Sequence, residues 1–135
     1  MKGLLALGFC VIVFGVNAQS EIDKQIVGNW SVVEVRKLIF SPGADAHPSK
    51  TELLRNIFKS MTFEFRDDHY FKSKAAYAEL TINDGYWEVT GNNIAIDSWE
   101  AHGRSTTVLR IQVKQQGSRW IFTLDQLAEL EVRKD

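Results

Sequence analysis

The spacing of apolar positions changes several times along this chain, and each change marks an element. From Met61 the period is two: Met61, Phe63 and Phe65 share one face and Thr62, Glu64 and Arg66 the other, which predicts a half-buried strand. Residues 106–115 repeat the pattern with Leu109, Ile111 and Val113, and residues 119–124 repeat it with Trp120, Phe122 and Leu124. Residues 28–40, GNWSVVEVRKLIF, are dense in β-branched and large apolar side chains and predict the first strand. Further strands are expected over 70–77, 86–90, 94–99 and 127–133. Turn signals separate them: Asp67-Asp68-His69, Asn83-Asp84-Gly85, Gly91-Asn92-Asn93 and Gln116-Gly117-Ser118.

One stretch has a different period. Leu53, Leu54, Ile57 and Phe58 recur at helical spacing behind Ser49-Lys50-Thr51-Glu52, an S-x-x-E capping pattern, so a short amphipathic helix is predicted over 50–59. It follows a loop over 41–48 that holds both prolines and cannot continue a strand. Ile22 and Ile26 are spaced for one further helical turn before the first strand.

About eight short strands joined by tight turns form a meander, and that is the strand number at which a meander closes into a barrel wide enough for one small ligand. The expected fold is therefore all-β, an antiparallel up-and-down barrel with one helix between its first and second strands. An open sandwich is the alternative. The inward faces would carry Met61, Phe63, Phe65, Tyr77, Trp87, Val89, Leu109, Ile111, Trp120 and Phe122, either as a solid core or, near an open end, as the lining of a pocket. Counting by two from Trp30 also brings Glu34 and Arg36 inside, as a polar pair able to anchor a ligand. A bulge near Val33 would instead turn Val33 and Val35 inward and expose both charges. The helix, through Leu53, Leu54, Ile57 and Phe58, would form a lid at the barrel rim. Trp99, opposite in phase to Ile94 and Ile96, is expected outside near Glu100, where an exposed indole marks a partner or glycan surface.

Composition narrows the setting. At 44% hydrophobic and 24% charged, with a formal net charge of −1, the chain reads as one domain, and without a Lys/Arg block it lacks the footprint of a nucleic-acid or anionic-membrane binder. Residues 1–18 carry Lys2, an apolar run from Leu4 to Val16 and a small-residue end at Ala18, the pattern of a cleaved secretory signal. The run is shorter than the roughly 20 residues that span a bilayer. The expectation is a domain over 19–135, exported to the periplasm or beyond, with no membrane span. Cys10 is the only cysteine and lies within the signal, so the mature chain carries no disulfide and depends on its core.

Catalysis needs a nucleophile, an acid–base pair or a metal. His47, His69 and His102 fall on three separate loops or turns without metal-ligand spacing, and each is expected to be solvated. No nucleophile-elbow, dinucleotide or phosphate-loop pattern occurs. The expectation is a non-enzymatic monomer without metal or cofactor.

Gly28-Asn29-Trp30 opens the first strand as G-x-W. With the capped helix, the M-T-F-x-F strand and its Asp turn, G-Y-W-x-V-x-G-N-x-I-x-I and the late W-x-F-x-L, the chain resembles bacterial lipocalin-like domain proteins over residues 26–132. That resemblance implies a cup shut at one end, with Gly28 and Trp30 at the shut end and a late arginine, Arg133, laid across the indole. The functional expectation is carriage of a small apolar or amphipathic molecule, such as a lipid. A solid-cored module that engages another envelope protein or a glycan through loops or outer face is the alternative.

Overall fold

The computed structural model describes residues 22–39, 48–99 and 105–135. Residues 1–21, with the expected signal, residues 40–47, with His47, and residues 100–104, with Glu100 and His102, lie outside the described residues. So do the side chains of Ser49 and Trp99, and with them the expected helix cap and indole surface.

Eight antiparallel strands close into an up-and-down barrel in sequence order. β1 (Gly28–Leu38) pairs with β2 (Thr62–Phe65) on one side and with β8 (Ala128–Lys134) on the other, which completes the ring. Between them run β3 (Tyr70–Lys74), β4 (Ile82–Thr90), β5 (Asn93–Trp99), β6 (Ser105–Gln116) and β7 (Arg119–Leu124). Closure satisfies backbone groups that an open sheet would leave at its edges. The turns at 66–69, 91–92 and 117–118 share one end, the floor, and the described connections at 75–81 and 125–127 lie at the other, the rim.

The helix α1 (Pro48–Lys59) joins β1 to β2 at the rim. It starts earlier than its apolar spacing indicates, because Pro48, read from sequence as loop, falls in the first turn, where a missing N–H costs no hydrogen bond. β2 is short and meets β1 only from Gly28 to Ser31. Above that point α1 packs on β1, and Arg55 Nη1 donates to the Val35 carbonyl at 3.2 Å.

β1 decides which charges enter the barrel, and it does so with two bulges. Its register against β8 slips by one residue at Val33 and again at Arg36, so the inward positions run Trp30, Val32, Val35, Leu38 rather than by strict twos. Glu34 and Arg36 are therefore outside and exposed, and Arg36 Nη1 donates to Gln116 Oε1 at 3.0 Å on the outer face. Val33, as the extra residue of the first bulge, is 45% exposed and does not turn inward with Val35.

Two further expectations are corrected. Asn83-Asp84-Gly85 is not a turn: β4 runs through it, and the register between β3 and β4 slips there, with Phe71 opposite Gly85 but Ser73 opposite Ile82. It is a β-bulge inside a strand. Gly85 is required by packing, since a Cβ there would lie 3.0 Å from both Ile96 Cγ2 and Phe71 Cδ1. The real reversal lies earlier: β3 stops at Lys74, and residues 75–81 turn through a short 3₁₀ segment, Ala78–Leu80. Tyr77, expected inside β3, therefore sits on this connection and is 46% exposed.

Candidate functional site

The barrel interior divides into a filled floor and a hollow rim. In the floor, Phe122 lies 5.3 Å from Trp30, 5.5 Å from Phe63 and 6.2 Å from Phe65, centroid to centroid. Phe65 continues the chain of rings to Phe71 at 4.9 Å and Trp87 at 5.8 Å, and Trp120 sets its edge against Trp30 at 5.1 Å. Each such pair contributes about 0.5–1.5 kcal/mol beyond the area it buries. Met61, Phe63, Phe65, Trp87, Ile111 and Phe122, expected as pocket lining, are all nearly inaccessible members of this mass. Val89 and Trp120 pack against it partly buried.

The floor is sealed from outside as well. Trp30 Nε1 donates to the Ile26 carbonyl at 2.8 Å, which anchors the helical turn at 22–25 under the barrel. The cation over the Trp30 ring is Lys134, with Nζ 5.4 Å from the centroid, and not Arg133. Register explains the correction: Lys134 is the residue paired with Trp30, whereas Arg133 pairs with Ser31 and is exposed. Gly28 leaves room for the lysine stem, since a Cβ there would lie 3.1 Å from Lys134 Cε. His69 is not a free surface imidazole either. It holds the β2–β3 turn at φ 69°, stacks on Trp87 at 4.3 Å, and its Nδ1 lies 2.8 Å from the Trp87 carbonyl.

Toward the rim the packing stops at a cavity of about 600 Å³. All four apolar residues of α1, namely Leu53, Leu54, Ile57 and Phe58, line it, so the helix forms its roof. Phe58 is buried, while Leu53 at the outer edge is 60% exposed. Tyr77, Leu80 and Ile82 supply a second wall. Ser73, the one buried polar side chain among the described residues, holds that wall in place: its hydroxyl donates to the Leu80 carbonyl at 2.8 Å and accepts from Ile82 N–H at 3.2 Å. Thr81 Oγ1 pins the other end of the connection, accepting from Ala75 N–H at 3.3 Å.

The third wall comes from β6, where a bulge at Val108 places consecutive residues, Val108 and Leu109, on the cavity. The β7–β8 turn completes it with Asp125 and Leu127. Asp125 adopts φ 38°, its N–H donates to the Arg110 carbonyl at 2.9 Å, and its Oδ2 accepts from Arg110 N–H at 3.1 Å. Of the residues proposed from sequence as pocket lining, only Tyr77 and Leu109 reach this cavity; Leu80, Ile82, Val108, Asp125 and Leu127 were missed. Bulges and an unsignalled 3₁₀ turn place most of these, and no period-two count finds them.

Among the described residues no group of three His, Cys, Asp or Glu side chains gathers as a metal site, and no helix is long and apolar enough to cross a membrane. The architecture is that of a closed eight-stranded antiparallel β-barrel, compatible with a lipocalin-like fold. Comparison with protein-family models, curated proteins and solved structures returns no match.

Proposed function

We propose that this protein binds and carries a small apolar or amphipathic molecule in the rim cavity without transforming it. The observation that supports this is the void itself: about 600 Å³ beneath α1, in a barrel whose other half is packed solid. Ligand pockets fall in the range of roughly 300–1,000 Å³ and are mostly apolar, with few polar groups. The walls of this one are Leu, Ile, Val, Phe and Tyr, with Asp125 at the turn. The reading includes export, with cleavage after Ala18, and a monomer that uses no cofactor. Mass spectrometry of small molecules retained by the purified protein tests it. Carriage predicts an apolar or amphipathic compound released on unfolding; nothing retained, together with no uptake from a lipid panel, sinks the reading. N-terminal sequencing of secreted material should begin at Gln19.

A second reading draws on the same rim. Leu53, Tyr77 and Val108 are 60%, 46% and 48% exposed, an apolar collar suited to another envelope protein. Filling the cavity separates the two: Leu54→Trp should abolish carriage and leave an interaction through the collar intact.

A further inference from the structure

We infer that the molecule carried is a cationic amphiphile, an apolar chain ending in an ammonium group, with Asp125 receiving the charged end at the mouth. The inference rests on the carrier reading above and adds the sign of the ligand's charge. Ten of the eleven described lining residues are aliphatic or aromatic, and the remaining one is Asp125. Aliphatic walls hold a hydrocarbon chain by area and do not distinguish one head group from another. Discrimination therefore falls to the mouth.

Asp125 is exposed there, at the water boundary, where a polar head would stay hydrated while its chain enters the void. Its position is fixed by two contacts to the Arg110 backbone, one from Arg110 N–H to Oδ2 and one from the Asp125 N–H to the Arg110 carbonyl. A carboxylate accepts hydrogen bonds and donates none, so its complement is an ammonium rather than another carboxylate. The guanidinium of the roof helix does not offset this: Arg55 is turned to the Val35 carbonyl and is not among the lining residues.

The test is calorimetric titration of the whole protein with dodecylammonium, dodecanol and dodecanoate, each below its micelle concentration, at neutral pH and low salt. The ammonium should bind about two- to five-fold more tightly than the alcohol, and the carboxylate more weakly than either. Asp125→Asn should bring the ammonium down to the level of the alcohol. Asn tolerates positive φ and retains an oxygen for Arg110 N–H, so this variant should fold. Added salt should narrow the preference. Equal affinity for the three, a preference for dodecanoate, or no effect of Asp125→Asn overturns the cationic assignment while leaving carriage standing. Failure of all three to bind removes carriage and this inference with it.

Discussion

Floor and rim are built from the same strands, yet they hold their side chains in different ways. At the floor, strands of regular alternation aim one aromatic after another at the axis, so that Phe122 touches Trp30, Phe63 and Phe65 at once. At the rim, β1, β4 and β6 each carry a bulge, β2 has not yet begun, and a helix stands in for the missing wall. A bulge adds a residue and re-aims its neighbours, which bends the strand away from the axis. The hollow is thus where strand regularity breaks. The difference teaches that a barrel this small keeps a void by interrupting its alternation, while its buried side chains, Ser73 apart, remain apolar among the described residues.

The comparison breaks most readily at Phe122. It is fully buried, and Phe122→Ala should cost about 3–5 kcal/mol in a denaturant melt, since the rings around it cannot collapse into the space. Leu53→Ala at the rim, where the side chain is 60% exposed, should cost no more than about 0.5 kcal/mol. Similar losses from the two variants would mean that the rim is packed like the floor.

Adding volume should sort the halves again, by a smaller amount. Gly85→Ala pushes a methyl to 3.0 Å from Phe71 and Ile96 and should destabilise by about 1–3 kcal/mol. Leu54→Trp adds far more volume but directs it into the cavity, so stability should change by about 0.5 kcal/mol or less. Uptake of an apolar fluorescent probe should fall at least about ten-fold, the cavity being occupied.

What could be read from sequence follows the same division. The alternations Met61-Phe63-Phe65 and Trp120-Phe122-Leu124 are visible because a buried face imposes period two, and they place the floor and the closure. The apolar face of α1 was equally visible, with Leu53, Leu54, Ile57 and Phe58 all on the cavity. The rest of the rim was hidden for particular reasons. Asn83-Asp84-Gly85 has the composition of a hairpin turn, but the glycine serves close packing against Phe71 and Ile96. The true reversal at 75–81 has no Gly or Pro; it is held by Ser73 and Thr81 hydroxyls, whose partners are close only once the chain has folded. Arg133 and Lys134 are adjacent cations, and a register of one residue decides which lies over Trp30.

That last pair gives a smaller and sharper test of the floor. Lys134→Ala removes the cation over the Trp30 ring and should cost about 0.5–1 kcal/mol in thermal or denaturant unfolding. Arg133→Ala, one residue earlier and facing solvent, should cost less than about 0.5 kcal/mol. A larger effect at Arg133 would place the β1–β8 register one residue away from that described.

The smallest expected effect concerns the wall that joins floor to rim, where the β4 bulge begins. The Tyr70 hydroxyl lies 2.5 Å from the Asn83 carbonyl and hydrogen-bonds Asp84 Oδ1 at 2.6 Å, tying β3 to the bulged residues of β4. This hydrogen bond, then burial and the charge of Asp84, hold the phenol above its ordinary value of about 10, because losing the proton would set two anions side by side. A group whose folded pKa is raised binds its proton more tightly in the native state. Its contribution is therefore complete below about pH 10 and is lost as pH rises through the folded value. Tyr70→Phe should be less stable than the parent at neutral pH, and the gap between them should shrink as the pH of the melts is raised beyond about 10. A gap that stays constant across that range would mean that Tyr70 supports the bulge by packing alone, with the Asp84 contact adding nothing to the wall that separates the solid half from the hollow one.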